Sequence, residues 1–329
     1  MVFGEFLSQN PVIFTLGFAL LFIAIEWIMV VCGLKHSLGI EPNERSLHSK
    51  YTPTGGGIVW VLGAIIGICL YGNFECSNIW IFLGGIIILA TISYIDDLHP
   101  LPPVPRLISQ IVIMALTFKQ LCYPQVFDIY LLVLFCGVGT INAINFLDGI
   151  CGMLALYGIV VTGSLIYVLS LYAIPGLLWL IPFLEIVLVA QIVFACFNLY
   201  DKIFAGDIGS ITLGYIQVFV AISLILATGD GSFIIFFAVC IFDTGLTTMQ
   251  RLFAGISILL PHRMNLYQLL TTNKKIPQPV VSLIYALLQL LINALFFLIP
   301  RVHHWTYFLV VCSLLTIAYF MVRFSFRNQ

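Results

Sequence analysis

Long apolar runs limit this chain more than any other feature. About eleven of them, roughly 11–33, 55–72, 79–95, 107–121, 127–144, 153–173, 177–197, 211–228, 232–251, 277–299 and 305–322, fill most of the 329 residues. Runs of about 17–23 apolar residues are long enough to cross a bilayer as helices. Backbone N–H and C=O groups in lipid must be paired internally, which leaves helices or a closed barrel. The runs are continuous rather than alternating, so helices are expected. Only 8% of the residues are charged, against roughly 25% in soluble domains. The expected fold is all-α, a single polytopic membrane domain over residues 1–329 with about eleven transmembrane helices and short connections.

Lys and Arg orient such a chain. With the N-terminus outside, Lys35, Arg45, Lys50, Arg106, Lys202, Arg251, Arg263, Lys274, Lys275, Arg323 and Arg327 share the cytoplasmic side, with the C-terminus. Lys119 and Arg301 fall on the other side. The opening MVFGEFLSQN has Glu5 and no basic residue, unlike a signal peptide, so the first span is expected to remain as a helix. Nine cysteines show no CxxC pair and no zinc spacing. Cys76 and Cys122 would both lie outside, where a disulfide between them is an open alternative. The net charge of −1 says nothing about partners; no nucleic-acid partner is expected, and whether the protein is a homodimer stays open.

Five cytoplasmic loops gather the polar residues. YIDDLHP closes an apolar run with two adjacent carboxylates, Asp96 and Asp97, which repel each other and are costly at a lipid boundary. Asp148, Asp201, Asp207 and Asp243 and the histidines His48, His99 and His262 lie on the same expected face. Carboxylates are hard oxygen donors suited to Mg²⁺, which usually reaches proteins together with substrate phosphates. Nearby Arg and Lys suit phosphate. Each motif also has a plainer reading: a solvated helix end for Asp96 and Asp97, an N-cap at Ser210, an Asp-Gly turn in NFLDG, a hinge in TPTGGG, and a lipid-surface patch in PHRMN. Glu26 and Glu185 stand inside spans, where such residues are rare.

The order of the motifs is more specific than any one of them. NERSLHSKYTPTGGG (43–57), YIDDLHPLPPVPR (94–106), NAINFLDGICG (142–152), FAGDIGS (204–210) and DTGLTTMQR…PHRMNLYQ (243–268) together resemble the polyprenyl-phosphate N-acetylhexosamine-1-phosphate transferases, glycosyltransferase family 4. The ending HRMNLYQ looks most like the bacterial O-antigen branch, which uses UDP-N-acetylated 6-deoxyhexosamines. The resemblance implies a bacterial inner-membrane enzyme. It would move an N-acetylhexosamine 1-phosphate from a UDP-N-acetylhexosamine to undecaprenyl phosphate, release UMP, and require Mg²⁺, with Mn²⁺ as an alternative. By matched position it implies Asp207 as a direct metal ligand and Asp96 and Asp97 as indirect ligands, acceptor contacts or base. It places Asn145 and Asp148 at the nucleotide and metal with Asn142 supporting that substrate-binding loop, His262 and Arg263 at the donor, and His48 and Lys50 at the acceptor phosphate.

Three departures bear on activity. Cys151 stands where many relatives have a second Asp of an Asp-Gly-x-Asp-Gly loop, Thr54 where many have Arg, and Met264 and Asn265 where a second His often follows. Cysteine is a poor ligand for Mg²⁺. A degenerate, non-catalytic membrane scaffold is therefore a rival reading. A secondary transporter is another, with Glu26 and Glu185 as its candidates for depth.

Overall fold

The computed structural model describes residues 11–40, 51–74, 77–121, 127–257 and 263–327. His48, Lys50, His262, Cys76 and Cys122 lie outside them, and with them the acceptor-phosphate expectation, part of the donor expectation and the disulfide. The described residues fold almost wholly into helices: α1 (Pro11–His36), α2 (Ile58–Tyr71), α3 (Ser77–Leu98), α4 (Pro103–Leu121), α5 (Phe127–Asn145), α6 (Met153–Tyr172), α7 (Leu180–Asn198), α8 (Gly206–Thr228), α9 (Ala238–Phe253), α10 (Leu266–Thr272), α11 (Gln278–Leu298) and α12 (His304–Arg327). Apart from short α10, each covers one of the expected apolar runs. Among the described residues, eight helical segments are long and apolar enough to cross a membrane, and Ile58–Tyr71 and Leu131–Leu147 are shorter apolar helices. The protein is an all-α, multi-pass membrane protein.

Helix α8 is the axis of the bundle. Its residues from Ile208 to Leu224 are buried on every side, and α2, α3, α5 and α6 pack around it. A helix apolar all round is one that neighbours enclose. By contrast α1 and α12 leave most of their apolar side chains exposed, as lipid-facing helices do. Inside the bundle, polar side chains pair with one another. Gln217 donates to the Thr162 hydroxyl and the Gly158 carbonyl, both at 3.0 Å, and Tyr157 donates to Gln289 at 2.7 Å. Glu26 is fully buried, and both its oxygens lack a partner among the described residues. Glu185 is exposed in a crevice beside Tyr71 and Phe14. Both stand on unbroken helices, α1 and α7, where a transporter site would favour broken ones.

Three starts differ from the sequence expectation; one is α8, which begins at Gly206 rather than near 211 and so takes in Asp207. Helix α4 begins at Pro103 rather than near 107, because proline is at home in a first helical turn. That puts Arg106 on the helix instead of in a loop. The run at 232–251 divides into a 3-10 turn, Gly231–Phe237, and α9. Asp243 therefore sits inside α9, buried, rather than on a loop with the other aspartates.

Candidate active site

Helix α3 continues through Asp96 and Asp97 to Leu98. Carboxylates at a helix C-terminus face the negative end of the helix dipole, so this placement needs compensation from elsewhere. It comes from α8. The Asp97 oxygens accept the backbone N–H groups of Asp207 at 2.8 Å and of Ile208 at 3.0 Å. Asp148, just beyond α5, accepts the N–H of Gly206 at 3.1 Å. Three consecutive donors of the first α8 turn, which have no partner within their own helix, are thus satisfied by two aspartates from other segments. Gly206 has φ +73°, and a Cβ there would lie 2.6 Å from Asp97 Oδ2, so glycine is required for this approach.

Asp96 and Asp207 share one guanidinium. Arg106 Nη1 lies 2.6 Å from Asp96 Oδ2, and Nη2 contacts Asp207 Oδ2. The other Asp96 oxygen accepts the N–H of Leu101 at 2.6 Å, closing the turn into α4. Asn145 accepts the Ser210 hydroxyl at 2.5 Å. One network therefore joins Asp96, Asp97, Asn145, Asp148 and Asp207. It carries four carboxylates against the one guanidinium of Arg106. Burial, then the Asp97 charge, pushes the Asp148 carboxyl up to about 7 despite the Gly206 N–H.

The TPTGGG stretch is held by backbone hydrogen bonds rather than left as a hinge. It is a backbone ladder. Phe204 N–H donates to the Pro53 carbonyl at 2.8 Å, Gly56 N–H to Phe204 at 2.9 Å and Gly57 N–H to Ala205 at 3.0 Å. Gly57 then lies so close to α8 that a Cβ would come within 2.0 Å of the Gly209 Cα. Trp60, from the next turn, donates its indole N–H to the Gly209 carbonyl at 3.0 Å. The first motif thus helps to set the start of α8, with Thr54 beside Asp97 at Gly206.

The departures have local explanations. Cys151 is buried, donates to the Asn198 carbonyl at 2.7 Å, and has its own N–H and C=O held by Gln278 and Ser282. Burial and nearby Asp201 push its thiol up to about 12, so it is an inert packing residue. Asn265 stands at the N-cap position of α10, where its N–H donates to the Gln268 side chain at 3.3 Å. Thr54 has a buried hydroxyl without a partner among the described residues, beside the Gly206 backbone.

Other expected residues lie around the network rather than in it. Asn142 donates to the Gln110 side chain at 2.6 Å and to the Val138 carbonyl, tying α5 to α4. Arg263 precedes the α10 cap by two residues. Sequence reasoning counted Arg106 as one more cytoplasmic base, and its signal was its place in the motif, nine residues after Asp97. It also missed Tyr267, whose hydroxyl donates to the Phe146 carbonyl in the third motif.

The acidic set tests well against Mg²⁺ in one respect and less well in another. Excess negative charge on hard oxygens suits Mg²⁺ or Mn²⁺. Among the described residues, however, no three Asp, Glu, His or Cys side chains converge to hold one ion. Asp96, Asp97 and Asp207 are not a closed cage, since Asp97 spends both oxygens on α8. A Mg²⁺ site completed by substrate phosphates needs only one or two carboxylates.

Comparison with known proteins gives the same pattern. A family model described as glycosyl transferase family 4 matches residues 79–225, a segment that holds the second, third and fourth motifs. A "Probable undecaprenyl-phosphate N-acetylglucosaminyl 1-phosphate transferase" of Bacillus subtilis (strain 168) is 26% identical over 246 residues, 69% of this chain and 68% of that protein. A "Phospho-N-acetylmuramoyl-pentapeptide-transferase" of Thermodesulfovibrio yellowstonii is 27% identical over 323 residues, 81% of this chain and 86% of that protein. Another transferase of that name, from Francisella tularensis subsp. holarctica, is 25% identical over 269 residues, 67% of this chain and 74% of that protein. With its motif loops joined at the start of α8, the chain is similar to glycosyl transferase family 4 over residues 79–225.

Proposed function

We propose that the protein transfers an N-acetylhexosamine 1-phosphate from a UDP-sugar to undecaprenyl phosphate, releasing UMP and starting O-antigen or another cell-envelope glycan. The observation that carries this reading is the single network of Asp96, Asp97, Asn145, Asp148, Asp207 and Arg106. The lipid phosphate attacks the sugar-proximal phosphorus of the donor, the bond to UMP breaks, and a polyprenyl-diphospho-sugar forms. A phosphate monoester has its second pKa near 6, so the nucleophile is already largely ionised. The protein's task is then to hold two anions together and to offset charge at the transferred phosphorus. Arg106 is the guanidinium placed for that, able to turn from its carboxylates to a phosphate. Asp207, with Asp96 beside it, would hold Mg²⁺, whose chemistry is to neutralise phosphate oxygens. Asp97 and Asp148 keep the start of α8, and so Asp207, in place. The motif end faces the cytoplasm, where the nucleotide donor is, with the N-terminus outside.

The test is UMP release by purified protein given undecaprenyl phosphate, Mg²⁺ and a panel of UDP-N-acetylhexosamines, including 6-deoxy donors. Release should require lipid and metal and fall at least a hundredfold in Asp207→Asn, the order lost when a main electrostatic stabiliser is removed. The best donor names the pathway. No release with any donor, from protein shown to be folded, would favour the scaffold reading.

A further inference from the structure

The fifth motif is held against the third by a buried carboxylate that the reaction itself does not use. Asp243 lies inside the bundle on α9 and is 4% exposed. Its oxygens accept the N–H of Leu266 at 2.6 Å, the N–H of Tyr267 at 3.3 Å and the hydroxyl of Tyr285 at 2.8 Å. It therefore caps α10 from another helix and fixes where that short helix sits. At the other end of the Tyr267 side chain, the hydroxyl donates to the Phe146 carbonyl. The residues on either side of that carbonyl in the third motif are Asn145, bonded to Ser210, and Leu147, followed by Asp148, bonded to Gly206. Tyr267 also fills the space over the Asp148-Gly149 turn, where a Cβ on Gly149 would meet its oxygen at 2.2 Å. On the outer side of α10, Arg323 of α12 holds the Met264 carbonyl, next to Arg263.

We infer that Asp243 and Tyr267 are positioning residues that set the donor site, locking the Arg263 segment onto the Asn145–Asp148 turn so that both can grip one UDP-sugar. The inference rests on the transferase reading above. A seven-residue helix is too short to be stable on its own, so its place depends on these anchors. The chain of bonds runs from Asp243 through α10 and Tyr267 to Phe146, and from there to the first turn of α8. Neither residue touches the carboxylates that share Arg106. Their loss should therefore weaken donor binding more than turnover of bound donor.

Tyr267→Phe is the sharpest variant, because it removes one hydroxyl and keeps the ring on Gly149. KM for the best UDP-sugar should rise about fivefold to tenfold, the worth of one buried hydrogen bond, with kcat within about twofold and KM for the lipid unchanged. Asp243→Asn should raise donor KM further, and Asp243→Glu should recover part of the loss. Unchanged kinetics in Tyr267→Phe, or a fall in kcat at normal donor KM, overturns the inference. Hydrogen exchange of full-length protein in detergent provides an arm independent of activity. Amides of 266–272 should exchange faster in both Asp243→Asn and Tyr267→Phe, and those of 146–150 should follow. Faster exchange in 266–272 without any change in 146–150 also overturns it. If the wild-type protein releases no UMP, the transferase reading fails, while the exchange data still decide whether the two segments are locked together.

Discussion

At the residue scale, the paired aspartates of YIDDLHP divide the work between them. Asp97 serves the backbone of α8, and Asp96 serves Arg106 and the turn at Leu101. Arg106 in turn bridges Asp96 and Asp207. Arg106→Gln should lower stability by about 1–2 kcal/mol, less than a fully buried pair because the arginine is partly exposed. Mg²⁺ should restore more thermal stability to this variant than it adds to the wild type, since the two carboxylates then lack a cation. Equal Mg²⁺ effects in a melting assay would count against a shared cation site. Asp148 gives a pH dependence of definite sign. Its carboxyl is raised from 3.8 to about 7, so the folded protein holds this proton where the unfolded chain has lost it. Stability is therefore reduced as pH rises from about 4 to about 7 and levels off above. Asp148→Asn should flatten that slope while still offering an oxygen to Gly206. Parallel slopes for the two proteins would refute the assignment.

At the element scale, the first motif and the start of α8 are built around backbone contact. Gly57 against Gly209 leaves no room for a side chain, and the indole of Trp60 closes the contact at the Gly209 carbonyl. Gly57→Ala should cost about 1–3 kcal/mol through overpacking and should lower UMP release by shifting the α8 turn that carries Asp207. Thermal melting followed by size-exclusion chromatography measures the first effect, and a variant as stable as wild type would show that the helices can part without penalty. The same scale explains Cys151. It lies under the start of α6 against the Asn198 carbonyl, where an aspartate would set a carboxylate against a carbonyl oxygen. The missing second Asp of that loop is thus matched by a local environment made for a thiol.

At the scale of the whole molecule, the far end of the bundle closes separately from the motif end. Asp230, after α8, accepts from the Ser232 N–H and hydroxyl and from His304 Nδ1, the last at 2.8 Å. His304 begins α12, so this cluster ties the central helix to the outermost one. Although burial alone would raise the Asp230 carboxyl, the Ser232 and His304 hydrogen bonds outweigh it and hold the group below 3.8. Its contribution is therefore present above that value and is lost as pH falls through the lower, folded one. Asp230→Asn should lower the melting temperature at pH 7 and leave UMP release at moderate temperature unchanged. A matching loss of activity would mean that the two ends of the bundle are coupled.

The sequence alone determined a good deal. Continuous apolar runs determined helices, because lipid allows the backbone no other open arrangement. Their spacing located most of the long helices to within a few residues, and the order of five polar motifs pointed to a family resemblance. What the sequence could not show was which oxygen meets which donor. That Asp97 and Asp148 cap α8, that Arg106 bridges Asp96 and Asp207, and that Asp243 belongs to the core are relations between residues up to 111 positions apart. Local propensity records nothing about such distances. Only the tertiary structure decided them, because a buried carboxylate takes whatever donor the packing of helices brings within reach.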